Sequence, residues 1–272
     1  MSNYPKENNL LINSPSGVGG MDIQLQNAGK RFNRDWIFRN LSYTFTIGNS
    51  YAIIGANGSG KSTLLQVIAS STNVSEGTIE YNISHSPNQQ PATTNDKRQT
   101  TNEQQATSND KRVTTNEKPA TSLDKRQTSN EPRQTKISSE NIYNHISIAT
   151  PYLEIIEEMT AVEFFQFHAA FKPLTISINE ILNIIGLEKA ANKQIRYYSS
   201  GMKQRVKLAQ AIFTNAPILL LDEPCTNLDK SGYELYHQLI QNYCSNKLII
   251  VSSNDENEIN FCSERLNMID YK

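Results

Sequence analysis

Alternation of apolar and polar residues begins at Met21, where Met-Asp-Ile-Gln-Leu-Gln reads as a half-buried strand. A second alternating run covers Leu41–Ile47 and passes through the turn Gly48-Asn49 into the short apolar strand of Tyr51–Ile54. Helical spacing follows at once in Ser62–Ser70, and Gly77–Tyr81 reads as another strand. Order is expected again from Ile142. Thr160-Ala-Val-Glu163 is a capping box, with Met159 and Phe164 placed as a hydrophobic staple. Ser177-Ile-Asn-Glu180 is a second box, opening a helix expected to stop at Gly186. A longer helix is expected over Ser200–Thr214. Pro217 then precedes the buried strand Ile218–Leu221, Ser231-Gly-Tyr-Glu234 opens another helix, and Lys247–Ser252 is the last clear core strand. Gly77–Tyr81 and Ile146–Ile148 are assigned to a peripheral sheet. Strands alternating with helices predict an α/β core with helices packed on a mostly parallel sheet.

The pattern fails at both ends of the first strands. Residues 1–20 are rich in Asn, Ser, Gly and Pro and read as a disordered leader. From about 86 to 136 the chain repeats every seven residues, with Asp-Lys-Arg returning at Asp96, Asp110 and Asp124. A seven-residue period suggests a coiled coil, but no pair of columns is apolar, and Pro119 and Pro132 oppose helix. Such a segment buries too little to offset chain entropy and is read as a disordered insert. One domain over 21–272, interrupted by this insert, is the expected organisation.

Composition narrows the classes. A net charge of −1 over 272 residues gives no basic field, so nucleic acid is not expected as a partner. Three cysteines without CxxC spacing, and no charged-then-apolar start, suggest reduced thiols in a cytoplasmic protein. The longest apolar runs are strand-sized, so no direct membrane insertion is expected.

Two segments carry chemistry. Gly55-Ala56-Asn57-Gly58-Ser59-Gly60-Lys61-Ser62 fits GxxxxGK[ST] and falls between a buried strand and a helix start, followed by Thr63. Glycines let the backbone wrap close to phosphate, inward N–H groups form an anion nest, and the helix N-terminus adds partial positive charge. Lys61 is expected to reach the β- and γ-phosphates of ATP, and Ser62 to ligate Mg²⁺. A glycine-rich turn alone would explain neither residue. Ile218–Leu221 runs into Asp222 and Glu223, which places two carboxylates at the sheet's C-terminal edge beside the phosphate loop. Asp222 suits the Mg²⁺ shell, and Glu223 suits polarising an attacking water.

With these motifs in place, Asp22–Tyr81 and Ile142–Ile269 resemble the ATP-binding-cassette family. Ser199-Ser-Gly201-Met-Lys-Gln-Arg205 is similar to its signature motif, with Tyr198, Ser200 and Met202 departing from the commonest form. Thr226-Asn-Leu-Asp229 resembles its D-loop, and Phe32 occupies the place of its adenine-stacking aromatic, with Trp36 and Tyr43 as competitors. The resemblance implies a P-loop NTPase cassette with a mostly parallel core sheet, a small antiparallel β subdomain and a helical subdomain. It also implies an ATP hydrolase that works as a head-to-tail homodimer, with Ser199 and Gly201 contacting ATP held by the second subunit. A separate membrane-spanning permease would couple it to transport. Two departures stand out. The family's Gln has Ala149 or Thr150 here, and its His has Asn254, whose amide donates to phosphate without becoming cationic. A soluble cassette ATPase and a weakly hydrolysing ATP-dependent switch remain as alternatives.

Overall fold

A computed structural model describes residues 20–84 and 134–272. The leader and the heptapeptide repeat lie outside the described residues, apart from their last positions. Nine strands and six α-helices are described. In chain order they are β1 (Gly20–Phe32), β2 (Asp35–Thr46), β3 (Ser50–Ile54), α1 (Lys61–Ile68), β4 (Glu76–Ser84), β5 (Gln134–Ile137) and β6 (Ile146–Ala149). The second half contains α2 (Ala161–Phe171), α3 (Ile178–Ile184), α4 (Ser200–Phe213), β7 (Ile218–Asp222), α5 (Lys230–Tyr243), β8 (Leu248–Ser252), α6 (Glu256–Ile259) and β9 (Glu264–Asn267).

Strands β6-β7-β8-β3-β9 form a five-stranded sheet in which every pairing is parallel. Strands β2-β1-β4-β5 form a separate antiparallel sheet. Because side chains alternate across a strand, each parallel strand feeds two cores. Ile218, Leu220, Leu248 and Ile250 pack with α1 and the antiparallel sheet. Leu219, Leu221, Ile249 and Val251 pack on the opposite face with α4 and α5. Burial on both faces explains why β7 and β8 read as unbroken apolar runs. Both capping boxes close as expected: Thr160 and Glu163 bond reciprocally at α2, and Ser177 and Glu180 do the same at α3.

Several expectations need correction. Ile146–Ala149 belongs to the parallel sheet, against β7, and not to the peripheral sheet. Its partner lies some seventy residues away, so no local pattern revealed the pairing. Strand β5 begins at Gln134, within the stretch assigned to the repeat, and pairs with β4. Helix α5 is capped by Asp229, whose carboxylate accepts from Gly232 N, so Ser231 lies inside the first turn. Strand β9 follows β8 and closes the sheet's far edge; only Leu266 is buried in it, which left it without an apolar signature.

Candidate nucleotide site

Parallel strands put all their C-terminal ends on one edge, and the register sets them level. Ser252 at the end of β8 lies opposite Ile53 of β3 on one side and opposite Asp222 of β7 on the other. The loop leaving β3 therefore emerges beside the acids leaving β7, with β8 between them. This is the edge where open α/β sheets bind ligands.

The loop Gly55–Gly60 turns through positive φ at Gly55 (147°), Gly58 (77°) and Gly60 (101°). A Cβ on Gly55 would come within 2.7 Å of Ser59 Oγ, and one on Gly60 within 2.4 Å of Ile37 Cγ2. Conformation and space both demand glycine at these two positions. Lys61 is buried at 6% exposure and curls back, its Nζ donating to the carbonyls of Gly55 (2.7 Å) and Ala56 (3.4 Å). A positive charge is thus held inside the ring of the loop. Ser59 Oγ is buried without a hydrogen-bond partner among the described residues. An orphaned hydroxyl, a caged ammonium and amides at a helix N-terminus fit an anionic phosphate chain. The cleft above the loop measures about 410 Å³ and is lined by Ile37, Asn57, Lys61, Ser62, Tyr152 and Glu223 among others.

On the other side of β8, Asp222 is buried at 4% exposure and accepts a hydrogen bond from Ser252 Oγ at 2.7 Å. Glu223 is exposed to the cleft and adopts φ of 44°, a left-handed conformation that is costly for a residue with a Cβ. Three bonds hold this turn. Glu223 N donates to Ser252 O at 2.9 Å, Cys225 N donates to Glu258 Oε1 at 2.7 Å, and Gln204 Nε2 donates to Pro224 O at 2.7 Å. Burial pushes the Glu258 carboxyl above the usual carboxylate range, opposed by hydrogen bonds from Ser253 and Cys225. A smaller cavity of about 240 Å³ lies beside the cleft, also lined by Asn57 and Glu223, together with Asn254, Asp255 and Glu258.

The fold therefore brings the loop, Ser62, Thr63, Asp222, Glu223 and Asn254 to one edge. Ser199 and Gly201 lie elsewhere. Ser199 caps α4 with its Oγ accepting from Met202 N at 3.3 Å, and it is exposed. Gly201 lies against the carbonyl of Asn227, where a Cβ would come within 3.3 Å. Asp229 is engaged as the α5 cap, its carboxyl lowered by Ser231 hydroxyl and Gly232 amide bonds. Phe32 is 49% exposed at the end of β1, while Trp36 is stacked by Arg39 and Arg31 and Tyr43 donates to Glu264 at 2.6 Å. Phe32 is the most exposed of the three, although Lys30 Nζ lies over its ring at 5.1 Å from the centroid. Of the residues suggested for the family's Gln, Ala149 is buried in β6 and Thr150 stands just beyond it.

Sequence reasoning missed Ser252, Gln204 and Glu258. Each is a polar residue at a buried position, and burial without a partner is costly, so a polar residue inside an apolar strand or helix face is itself the signal. Ile37 and Tyr152 carried no local signal at all.

The family model described as ABC transporter matches residues 38–226, more than half of the chain. The uncharacterized ABC transporter ATP-binding protein YybJ of Bacillus subtilis is 27% identical over 90% of this chain and 92% of its own length. The lantibiotic transport ATP-binding protein SrtF of Streptococcus pyogenes is 22% identical, covering 91% of this chain and 86% of itself. Among solved structures, the dimeric bacterial ABC transporter cassette MJ0796 superposes with a TM-score of 0.60 at 22% identity, over 90% of this chain and 94% of that one. The two sheets and the glycine-rich loop stand together with this family match: the chain belongs to the ABC transporter family, as its ATP-binding cassette.

Proposed function

We propose that the chain binds Mg-ATP in the cleft over Gly55–Thr63 and hydrolyses it as the motor subunit of a membrane transporter. The observation that carries this reading is the meeting of a caged Lys61 and an exposed Glu223 on one 410 Å³ cleft. Lys61 and the loop amides compensate the phosphate charge. Ser62 and Asp222 would hold Mg²⁺, since hydroxyl and carboxylate are the hard oxygen donors it takes. Held there, Mg²⁺ would supply charge neutralisation to the nucleotide's phosphates. Glu223 orients a water and takes its proton as the water oxygen bonds to the γ-phosphorus. The bond to the β–γ bridging oxygen breaks, and ADP leaves. Phe32 offers a ring face to adenine.

Ser199 and Gly201 do not line the cleft of their own chain. Their placement supports a head-to-tail pair in which each α4 N-terminus, with Asp229 at the seam, completes the partner's cleft. The dimeric form of the MJ0796 cassette lends weight to this arrangement. No helix among the described residues is long and apolar enough to cross a membrane. In this reading a separate permease carries the substrate, with this subunit at its cytoplasmic face, and the transport names of its relatives support it.

Lys61→Ala tests the nucleotide half of the reading. Losing a buried charge partner lowers Mg-ATP affinity by about 10²-fold or more. Calorimetry showing unchanged affinity would remove the phosphate-loop assignment.

A further inference from the structure

Asn254 stands where the family resemblance leads one to expect a residue reaching for the terminal phosphate. Its side chain is otherwise engaged. Gly55 N donates to Asn254 Oδ1 at 3.1 Å, and Asn254 Nδ2 lies 3.4 Å from Asn57 Oδ1. Strand register forces the first contact: Ser252 is level with Ile53, and Ser253 N donates to Ile53 O at 3.2 Å, so the next residue falls beside Gly55. A primary amide has one acceptor and two donor hydrogens, so one side chain serves a backbone N–H and a side-chain oxygen together. A carboxylate would serve only the first, and alanine neither.

Both partners matter to the loop. Gly55 is the residue at φ 147°, where the chain swings from β3 into the phosphate ring. Asn57 lines both the main cleft and the smaller cavity, facing Glu223 in each. We propose that Asn254 is a positioning residue for the phosphate loop, latching Gly55 and Asn57 before nucleotide arrives and acting on ADP and ATP alike. The role rests on the nucleotide reading of the cleft, and it separates this position from one that senses the γ-phosphate.

Two measurements test it. In the nucleotide-free chain, Asn254→Ala should speed hydrogen exchange at the Gly55 amide, whereas Asn254→Asp, which keeps the acceptor, should preserve its protection. Unchanged exchange in Asn254→Ala overturns the latch whether or not nucleotide binds. Calorimetry with Mg-ADP and Mg-ATP provides the second. Asn254→Ala should weaken both by the same factor, about three- to tenfold for one or two lost hydrogen bonds. With Asn57→Ala the losses should be less than multiplicative, because the two residues share a contact. ADP affinity held at the wild-type value while ATP affinity falls would assign Asn254 to the terminal phosphate and overturn the proposal. A wild-type chain that binds neither nucleotide would instead sink the nucleotide reading, leaving the exchange result to judge the latch. Asn254 is exposed, so these variants are expected to fold.

Discussion

The N-terminus of α1 lies at the floor of a cleft with Lys61 buried beside it, while the N-terminus of α4 presents Ser199 and Ser200 to solvent. Both helices offer unsatisfied amides and a partial positive charge to an anion. Around α1 the fold adds an ammonium, a buried carboxylate at Asp222, and Glu223 held in a left-handed turn. Around α4 it adds a capping hydroxyl and a glycine whose bare backbone faces Asn227. On the proposed reading, the first terminus has what a nucleotide needs within one chain, and the second would complete a site that another chain presents. Completeness within the chain is therefore the property that separates binding from assembly, and variants at the two termini should fail differently.

The largest effect is expected at Glu223. Glu223→Gln removes the carboxylate proposed to take the proton of water, so turnover should fall by about 10²–10⁴-fold while Mg-ATP affinity stays close to wild type. A colorimetric phosphate assay beside calorimetry checks both numbers. A variant that turns over normally would mean that another residue activates the water.

At the other terminus, Ser200→Glu places a carboxylate where a first-turn acid favours the helix itself, so the fold should hold. The same charge would face the partner's phosphates, and like charges at an interface cost several kcal/mol, so ATP-driven association should weaken at least about tenfold. Affinity of the isolated subunit for Mg-ATP should not follow. Parallel loss of both would show that α4 serves its own chain's cleft.

Legibility in the sequence divides along similar lines. Features set by a few neighbouring residues were readable: the glycine-rich turn between β3 and α1, the strand ending in Asp222 and Glu223, and the two capping boxes. Features set by distant partners were not. Ile146–Ala149 looked like any short apolar run until β7 appeared beside it, and β9 has a single buried residue to announce it. Asp229 was read from resemblance as a seam residue, and its local role as a cap was overlooked because Ser231 offered a similar signal two residues later. Asn254 shows the same gap at the site. Its type was plain in the sequence, but its hold on Gly55 depends on the register of β3 against β8.

A smaller effect tests whether the helical region acts apart from the cleft. Thr160→Ala removes the α2 cap at a cost of about 1 kcal/mol, with nucleotide affinity unchanged. The Thr160 amide and hydroxyl hold the Glu163 carboxyl below its usual range. A group whose pKa is lowered on folding stabilises above its unfolded pKa and loses that contribution as pH falls through the folded value. The gap between wild type and Thr160→Ala in urea melts should therefore narrow in acid. A gap independent of pH would mean that the Thr160 hydroxyl's bond to Glu163 contributes nothing, since the backbone amide's bond remains in the variant.

The smallest effect is expected from the insert. Ser84 pairs with Gln134, so the chain ends flanking 85–133 emerge side by side on antiparallel strands, where a short turn suffices. Deleting residues 87–131 should change stability by less than about 1 kcal/mol, since loop-closure entropy varies slowly with length. Turnover should stay at the wild-type rate. Lost turnover in a folded deletion variant would tie the repeat to the site.

Sedimentation velocity of Glu223→Gln with and without Mg-ATP tests the central claim most directly. With hydrolysis blocked and both helix termini intact, Mg-ATP should convert the monomer to a dimer, and adding Ser200→Glu should return it to monomer with nucleotide still bound. A Glu223→Gln chain that is saturated with Mg-ATP yet stays monomeric at high concentration would contradict the account.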